Sequence, residues 1–172
     1  MSGRKAMSRA FIREDGGGEG DDLPELPLSS LPNYVTPRGL ARLKERLEEL
    51  NRLRESLLPE SADLHRQRRL RETERDIRYY RARVDSAIPV DPSAQPPGEV
   101  RLGSEVEVQD EEGALRVYSI VGEDEADAGR GLLFWNSPLA SALIGAKAGD
   151  SVAWRTPQGT RRLLVRAVRR PA

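Results

Sequence analysis

The chain has 172 residues, with 28 Lys and Arg balanced by 28 Asp and Glu, one histidine and no cysteine. Balanced charge argues neither for nor against nucleic acid, and a chain one-third charged needs long exposed surfaces. The lack of cysteine excludes disulfides and Cys-based zinc sites, and a single histidine excludes a His-rich metal centre.

No apolar run approaches membrane-spanning length, and the basic start "MSGRKAMSRAFIRED" is not followed by an apolar signal region. A soluble cytoplasmic chain with no membrane partner is expected. Residues 1–33 include "EDGGGEGDDLPELPLSSLP", rich in Gly, Pro and acids. Such a stretch has little apolar surface to offset the entropy of ordering, so 1–33 is read as a disordered arm with room for a docked stretch near Leu23–Leu28.

At "YVTPRGLARLKERLEELNRLRESLLP" the character changes. Thr36 suits an N-cap and Pro37 the first helical position, where its missing N–H costs nothing. Leu40, Leu43, Leu47 and Leu50 then recur in steps of three and four; Arg54 interrupts the series and Leu57 resumes it. Pro59 disfavours helix at Leu58, which predicts an end near Leu57. A second series, Leu70, Thr73, Ile77, Tyr80, Val84 and Ala87, has the same alternation over the same span, and Pro89 is expected to end it.

Folded antiparallel, the two series pair Leu57 with Leu70, Arg54 with Thr73, Leu50 with Ile77, and so on to Leu40 with Ala87. The single polar layer meets itself. Two seams of equal length favour an intramolecular hairpin over 34–88, a monomer rather than a parallel dimer, with a rod of roughly 25–30 Å at 1.5 Å per residue.

"PVDPSAQPPGE" (89–99) reads as a semi-rigid linker. After it the period becomes two. In "VRLGSEVEV" the residues Val100, Leu102, Val106 and Val108 face one way, and Arg101, Glu105 and Glu107 the other. "ALRVYSIV" and "GLLFW" add two strands. "NSPLASALIGAKAGD" predicts a short helix capped by Ser137, with Pro138 first and Gly145 as a stop. "DSVAW", "TPQG" and "RRLLVRAVR" predict a closing hairpin. The expected fold is α+β: a helical coiled-coil hairpin followed, over 100–172, by a curved antiparallel sheet with one short helix.

In order along roughly residues 34–170, the blocks "YVTPRGLARLKERLEEL", "RLRETERDIRYYRARV", "LGSEVEVQDEEG", "IVGEDEAD" and "NSPLASALIGAKAGDSVAWRTPQG" resemble the bacterial transcript cleavage factors GreA and GreB, the second helix being closer to GreB. The resemblance implies an FKBP-like C-terminal domain that docks on bacterial RNA polymerase at the rim of its secondary channel. It implies a coiled coil that enters the channel and presents acids to the active centre. The polymerase remains the enzyme: carboxylates from the factor would hold its weakly bound second Mg²⁺ and orient a water for attack on RNA. No intrinsic cofactor and no intrinsic catalysis are expected, and nucleic acid lies close only within the polymerase complex.

The family's tip pattern is an Asp, two residues, then Glu-Asn-Ala and another acid. In "LLPESADL", Glu60, Ala62 and Asp63 match the Glu, the Ala and the following acid; Ser61 replaces the Asn, and Leu57 stands where the first Asp belongs. The span from Thr36 to Glu60 is also shorter than the family's by about two heptads, roughly 20 Å of helix. Together these imply a polymerase-binding regulator with weak or no stimulation of cleavage. The alternatives are a cleavage factor that uses Glu60 and Asp63 with the polymerase's Mg²⁺, or a protein of the type that regulates nucleoside diphosphate kinase, which the short rod also resembles. A prolyl isomerase is disfavoured, because fold does not carry function and no aromatic-lined pocket signature is present.

Glu60 and Asp63 are read first as acids in the first turn of a helix beginning at Pro59, where the dipole favours them. His65 has no partner acid or nucleophile nearby and is read as a solvated tip residue. The arginines of the second helix, interleaved with Glu72, Glu74 and Asp76, are read as a salt-laced exposed face. Ser137 and Pro138 cap a helix on any reading, and the resemblance places them near the polymerase-docking surface. Phe134, Trp135 and Trp154 are read as core.

Overall fold

The computed structural model describes residues 23–58 and 63–170; Glu60 and residues 1–22 of the expected arm lie outside the described residues. Residues 23–33 form no helix or strand. They lead through a short strand, β1 (Tyr34–Val35), into two long helices, α1 (Pro37–Leu57) and α2 (Leu64–Asp85).

The start of α1 follows from its sequence. Thr36 is extended, its hydroxyl accepts the Gly39 N–H at 2.9 Å, and Pro37 occupies the first turn. With 21 and 22 residues, the helices make a rod of about 32 Å. Leu43, Leu50, Thr73 and Ile77 are buried, and Leu40, Leu47, Arg54, Leu57, Leu70, Tyr80 and Val84 are half-buried. The buried stripe is therefore the three-and-four alternation. Its polar layer is not self-satisfying: the Thr73 hydroxyl donates to the Arg69 carbonyl at 2.8 Å, while the buried Arg54 Nε has no hydrogen-bond partner among the described residues.

Two helix bounds differ from expectation. α2 begins at Leu64 rather than Pro59, because the Asp63 carboxylate accepts the His65 N–H at 2.9 Å and acts as the cap. The helix also stops at Asp85, ahead of Pro89. Ile88 and Pro89 form β2, parallel to β1, with the Ile88 N–H donating to Asn33 O at 2.8 Å and the Val90 N–H to Val35 O at 2.9 Å. This pairing needs extended chain earlier than the proline alone would impose.

Beyond a 3₁₀ turn at Pro92–Ala94 come β3 (Glu105–Asp110), β4 (Leu115–Val121), β5 (Leu132–Phe134), α3 (Pro138–Leu143), β6 (Ser151–Thr156) and β7 (Gly159–Arg169). The five strands form one sheet in the order β5-β4-β3-β7-β6. Val106, Val108, Ile120 and Val165 pack with Leu139 and Leu143 of α3 in the core. Each such side chain stabilises by about 1.5–3 kcal/mol when fully buried. Trp135 and Trp154 are half-buried against that core.

The sheet is mixed rather than wholly antiparallel. β5 runs parallel to β4, with Ser119 opposite Leu132 and Val121 opposite Phe134. Parallel neighbours ordinarily need a long crossover. Here only the last three residues of β4 are paired, so the connection travels back a short way, through 3₁₀ turns at Glu123–Glu125 and Ala128–Arg130. Gly131 completes the reversal at φ 72° with its Cα against the Val117 carbonyl, where a side chain would collide. The predicted strand in "VRLGSEVEV" is also shorter. Val100 is buried, but Gly103 at φ 87° turns the chain, and pairing starts at Glu105.

Candidate functional site

At the hairpin tip, Leu57 and Leu70 are both half-buried. The position that would carry the tip pattern's first acid is thus occupied by packing. Arg66 closes the turn. Its guanidinium donates to the Leu57 carbonyl at 3.1 Å and to the Ser56 carbonyl at 2.5 Å, satisfying two carbonyls at the end of α1. Asp63 and His65 are exposed, as are the apolar Leu58 and Leu64, the latter at 75%. Asp63 is the one tip carboxylate among the described residues, and it already accepts a backbone N–H. One such group does not by itself constitute a metal site.

Along α2 the arginines are largely engaged locally. Arg68 pairs with Glu72 at 3.1 Å and Arg75 with Asp76 at 2.8 Å. Arg78 pairs with Glu25 at 2.5 Å, which ties Glu25 to the helix. That contact holds the exposed Glu25 carboxyl below its usual range, the Arg78 hydrogen bond being the main cause.

The base of the hairpin is built differently. The Arg83 side chain is 3% exposed; its Nε donates to Asp124 at 2.7 Å and an Nη to Glu123 at 3.2 Å. Asn33 donates its amide to the Arg83 carbonyl at 2.8 Å. The Tyr79 hydroxyl donates to Asp124 at 2.9 Å. Burial first, and then the hydrogen bond to Asp124, push that phenol up to about 12.

Glu125 grips the start of α1. The Thr36 hydroxyl donates to Oε1 at 2.5 Å, and the Thr36 and Gly122 N–H groups donate to Oε2, each at 3.1 Å. The Thr36 oxygen that caps α1 thus also anchors the helix to the sheet domain. Gly39 makes room for the contact, since a side chain there would overlap the Glu125 carboxyl. Tyr34 stacks edge-on against Trp135 at 5.4 Å, adding an aromatic contact across the joint.

Sequence reasoning passed over this joint. Arg83 is read from sequence only as one of the arginines of an exposed helix face, and Tyr79, Glu123, Asp124 and Glu125 carry no assignment there. The available signal was Arg83 itself, one step before the seam residue Val84. At the start of α3, the Ser137 hydroxyl accepts the Ala140 N–H at 3.3 Å, leaving Pro138 exposed while Leu139 and Ala140 enter the core.

Residues 95–170 match the family described as Transcription elongation factor, GreA/GreB, C-term. The chain is 34% identical over 151 residues to the transcription elongation factor GreB of Neisseria meningitidis serogroup B, a match spanning 79% of this chain and 93% of that protein. It is 35% identical over 158 residues to the transcription elongation factor GreA of Alkalilimnicola ehrlichii, spanning 83% of this chain and 99% of that protein. The 151 aligned positions of the first match take up only about 136 of the 172 residues here, so about 15 positions of that relative face no residue of this chain. Among solved structures, GreA factor homolog 1 of Thermus thermophilus is 23% identical, covering 81% of this chain and 99% of its own, with a TM-score of 0.38. An overlap that low carries no further argument.

Proposed function

The chain belongs to the GreA/GreB family and is a transcription elongation factor of that family, and from this premise we propose that it is an RNA polymerase-binding regulator that stimulates transcript cleavage weakly or not at all. In this reading the C-terminal domain docks on bacterial RNA polymerase, with Ser137 and Pro138 at the contact, and the short hairpin points into the secondary channel. The observation that carries the reading is Leu57. A half-buried leucine fills the place of the tip pattern's first acid, so the pair of carboxylates needed to hold a second Mg²⁺ is incomplete. The rod's shortness works in the same direction: two heptads removed would keep the seam in register while withdrawing the tip by roughly 20 Å.

Docking is tested by retention of purified RNA polymerase on the immobilised full chain. Wild-type protein is expected to retain polymerase and to compete with a cleavage-competent relative for it. Pro138→Arg places a bulky cation at the proposed contact without removing the Ser137 cap, and is expected to weaken retention by about tenfold. Failure of the wild-type chain to retain polymerase defeats the proposal. Retention of nucleoside diphosphate kinase in its place would favour the other short-rod reading.

A further inference from the structure

A cavity of about 590 Å³ opens where the first turns of α1, the Pro92–Ala94 turn and the β4–β5 edge of the sheet meet. That volume lies in the range of small-molecule sites. Pro92 and Leu132, both half-buried, supply apolar lining, and Arg38, Arg42, Arg130 and Arg170 line the same space.

The charges there are unequally used. Two carboxylates also line the cavity, but both are engaged within the protein. Glu125 accepts from Thr36 and Gly122, and Asp91 accepts from the Ser93 N–H at 2.8 Å and its hydroxyl at 2.7 Å. The Ser93 bonds hold the exposed Asp91 carboxyl below its usual range, so it stays charged. Among the described residues, Arg38, Arg42 and Arg130 have no carboxylate partner, and Arg170 makes one bond, to the Gln95 carbonyl at 2.5 Å. Unpaired guanidiniums gathered around a concave apolar surface favour an anion with a flat apolar body. Arginine meets phosphate oxygens in a planar fork and also stacks on aromatic rings.

We propose that this cavity binds a phosphorylated nucleoside, with its phosphates on Arg38, Arg42 and Arg130 and its base against Pro92 and Leu132. Bare phosphate would leave most of the volume and all of the apolar lining unused. The site shares no residue with the Ser137–Pro138 end of α3, so the proposal stands or falls independently of polymerase docking. Because α1, the linker and the sheet each supply lining residues, an occupant would also tie the hairpin base to the sheet domain.

The test is titration calorimetry on the full chain with GDP and ATP, and with guanosine and pyrophosphate as the separated halves. At least one nucleotide is expected to bind saturably with Kd below about 1 mM, and each half about tenfold more weakly or worse. The double substitution Arg42→Ala with Arg130→Ala is expected to weaken nucleotide binding by about tenfold or more, while Arg161→Ala on the distant β6–β7 hairpin leaves it unchanged. These arginines are exposed, and an unchanged melting curve would show that the variants remain folded. Absence of saturation by either nucleotide, an unaffected double variant, or pyrophosphate binding as tightly as the nucleotides would each overturn the proposal.

Discussion

The two ends of the hairpin use the same residue types for opposite purposes. At the base, Arg83, Tyr79 and Thr36 meet Asp124, Glu123 and Glu125 across a partly buried joint. At the tip, Arg66 binds backbone carbonyls, while Asp63 caps a helix in open solvent beside exposed leucines. The base therefore fixes the direction in which the rod points. The tip holds its own turn and little else.

Substitutions at the base should cost most. Arg83→Ala leaves Asp124, whose side chain is 14% exposed, without its cation, and is expected to destabilise by about 3 kcal/mol in denaturant unfolding. An effect under about 1 kcal/mol would mean that the joint is not the structural anchor argued above. Gly39→Ala should come next, at about 1–3 kcal/mol, because its methyl group displaces the Glu125 carboxylate from Thr36 and strands the Thr36 N–H. Proteolysis near residues 86–99 should then accelerate relative to wild type as the joint loosens.

Tyr79→Phe removes one hydrogen bond and should cost about 1 kcal/mol at neutral pH. The sign of its pH dependence is fixed by the raised phenol. The folded state favours neutral Tyr79, so the contribution is complete below about pH 10 and is lost as pH rises through about 12. Stability of wild type and variant should converge over that alkaline window, and a gap that persists above it would contradict the Asp124 contact. At the tip, Leu64→Ala and His65→Ala should change stability by less than about 0.5 kcal/mol, as exposed residues without specific partners do. A large loss there would erase the contrast between the ends.

The hairpin was legible because its signals are local. Thr36-Pro37 announces a start, and two series of apolar residues spaced three and four apart announce a seam. The bounds of α2 were less so. Pro59 suggests an earlier start than the Asp63 cap allows, and only the pairing of residues 33–35 with 88–90 shows why the helix stops early. The parallel β5 was missed because strand direction depends on how far the connection must return, which apolar alternation does not encode. The joint was missed for a related reason. Its pairs are separated by 40 to 89 residues, and an acid destined for Arg83 looks the same in sequence as an acid in a solvated turn. Pattern shows which face is apolar, but it does not show which charge will be buried with which.

The most direct measurement is RNA release from stalled elongation complexes after addition of the full chain, beside a cleavage-competent GreB and with polymerase binding measured in the same samples. With polymerase saturated, the account predicts little or no release of short 3′ fragments, unchanged in Glu60→Ala. Release comparable to that of the GreB control, abolished in Glu60→Ala, would show that the remaining tip acids suffice and would contradict the account.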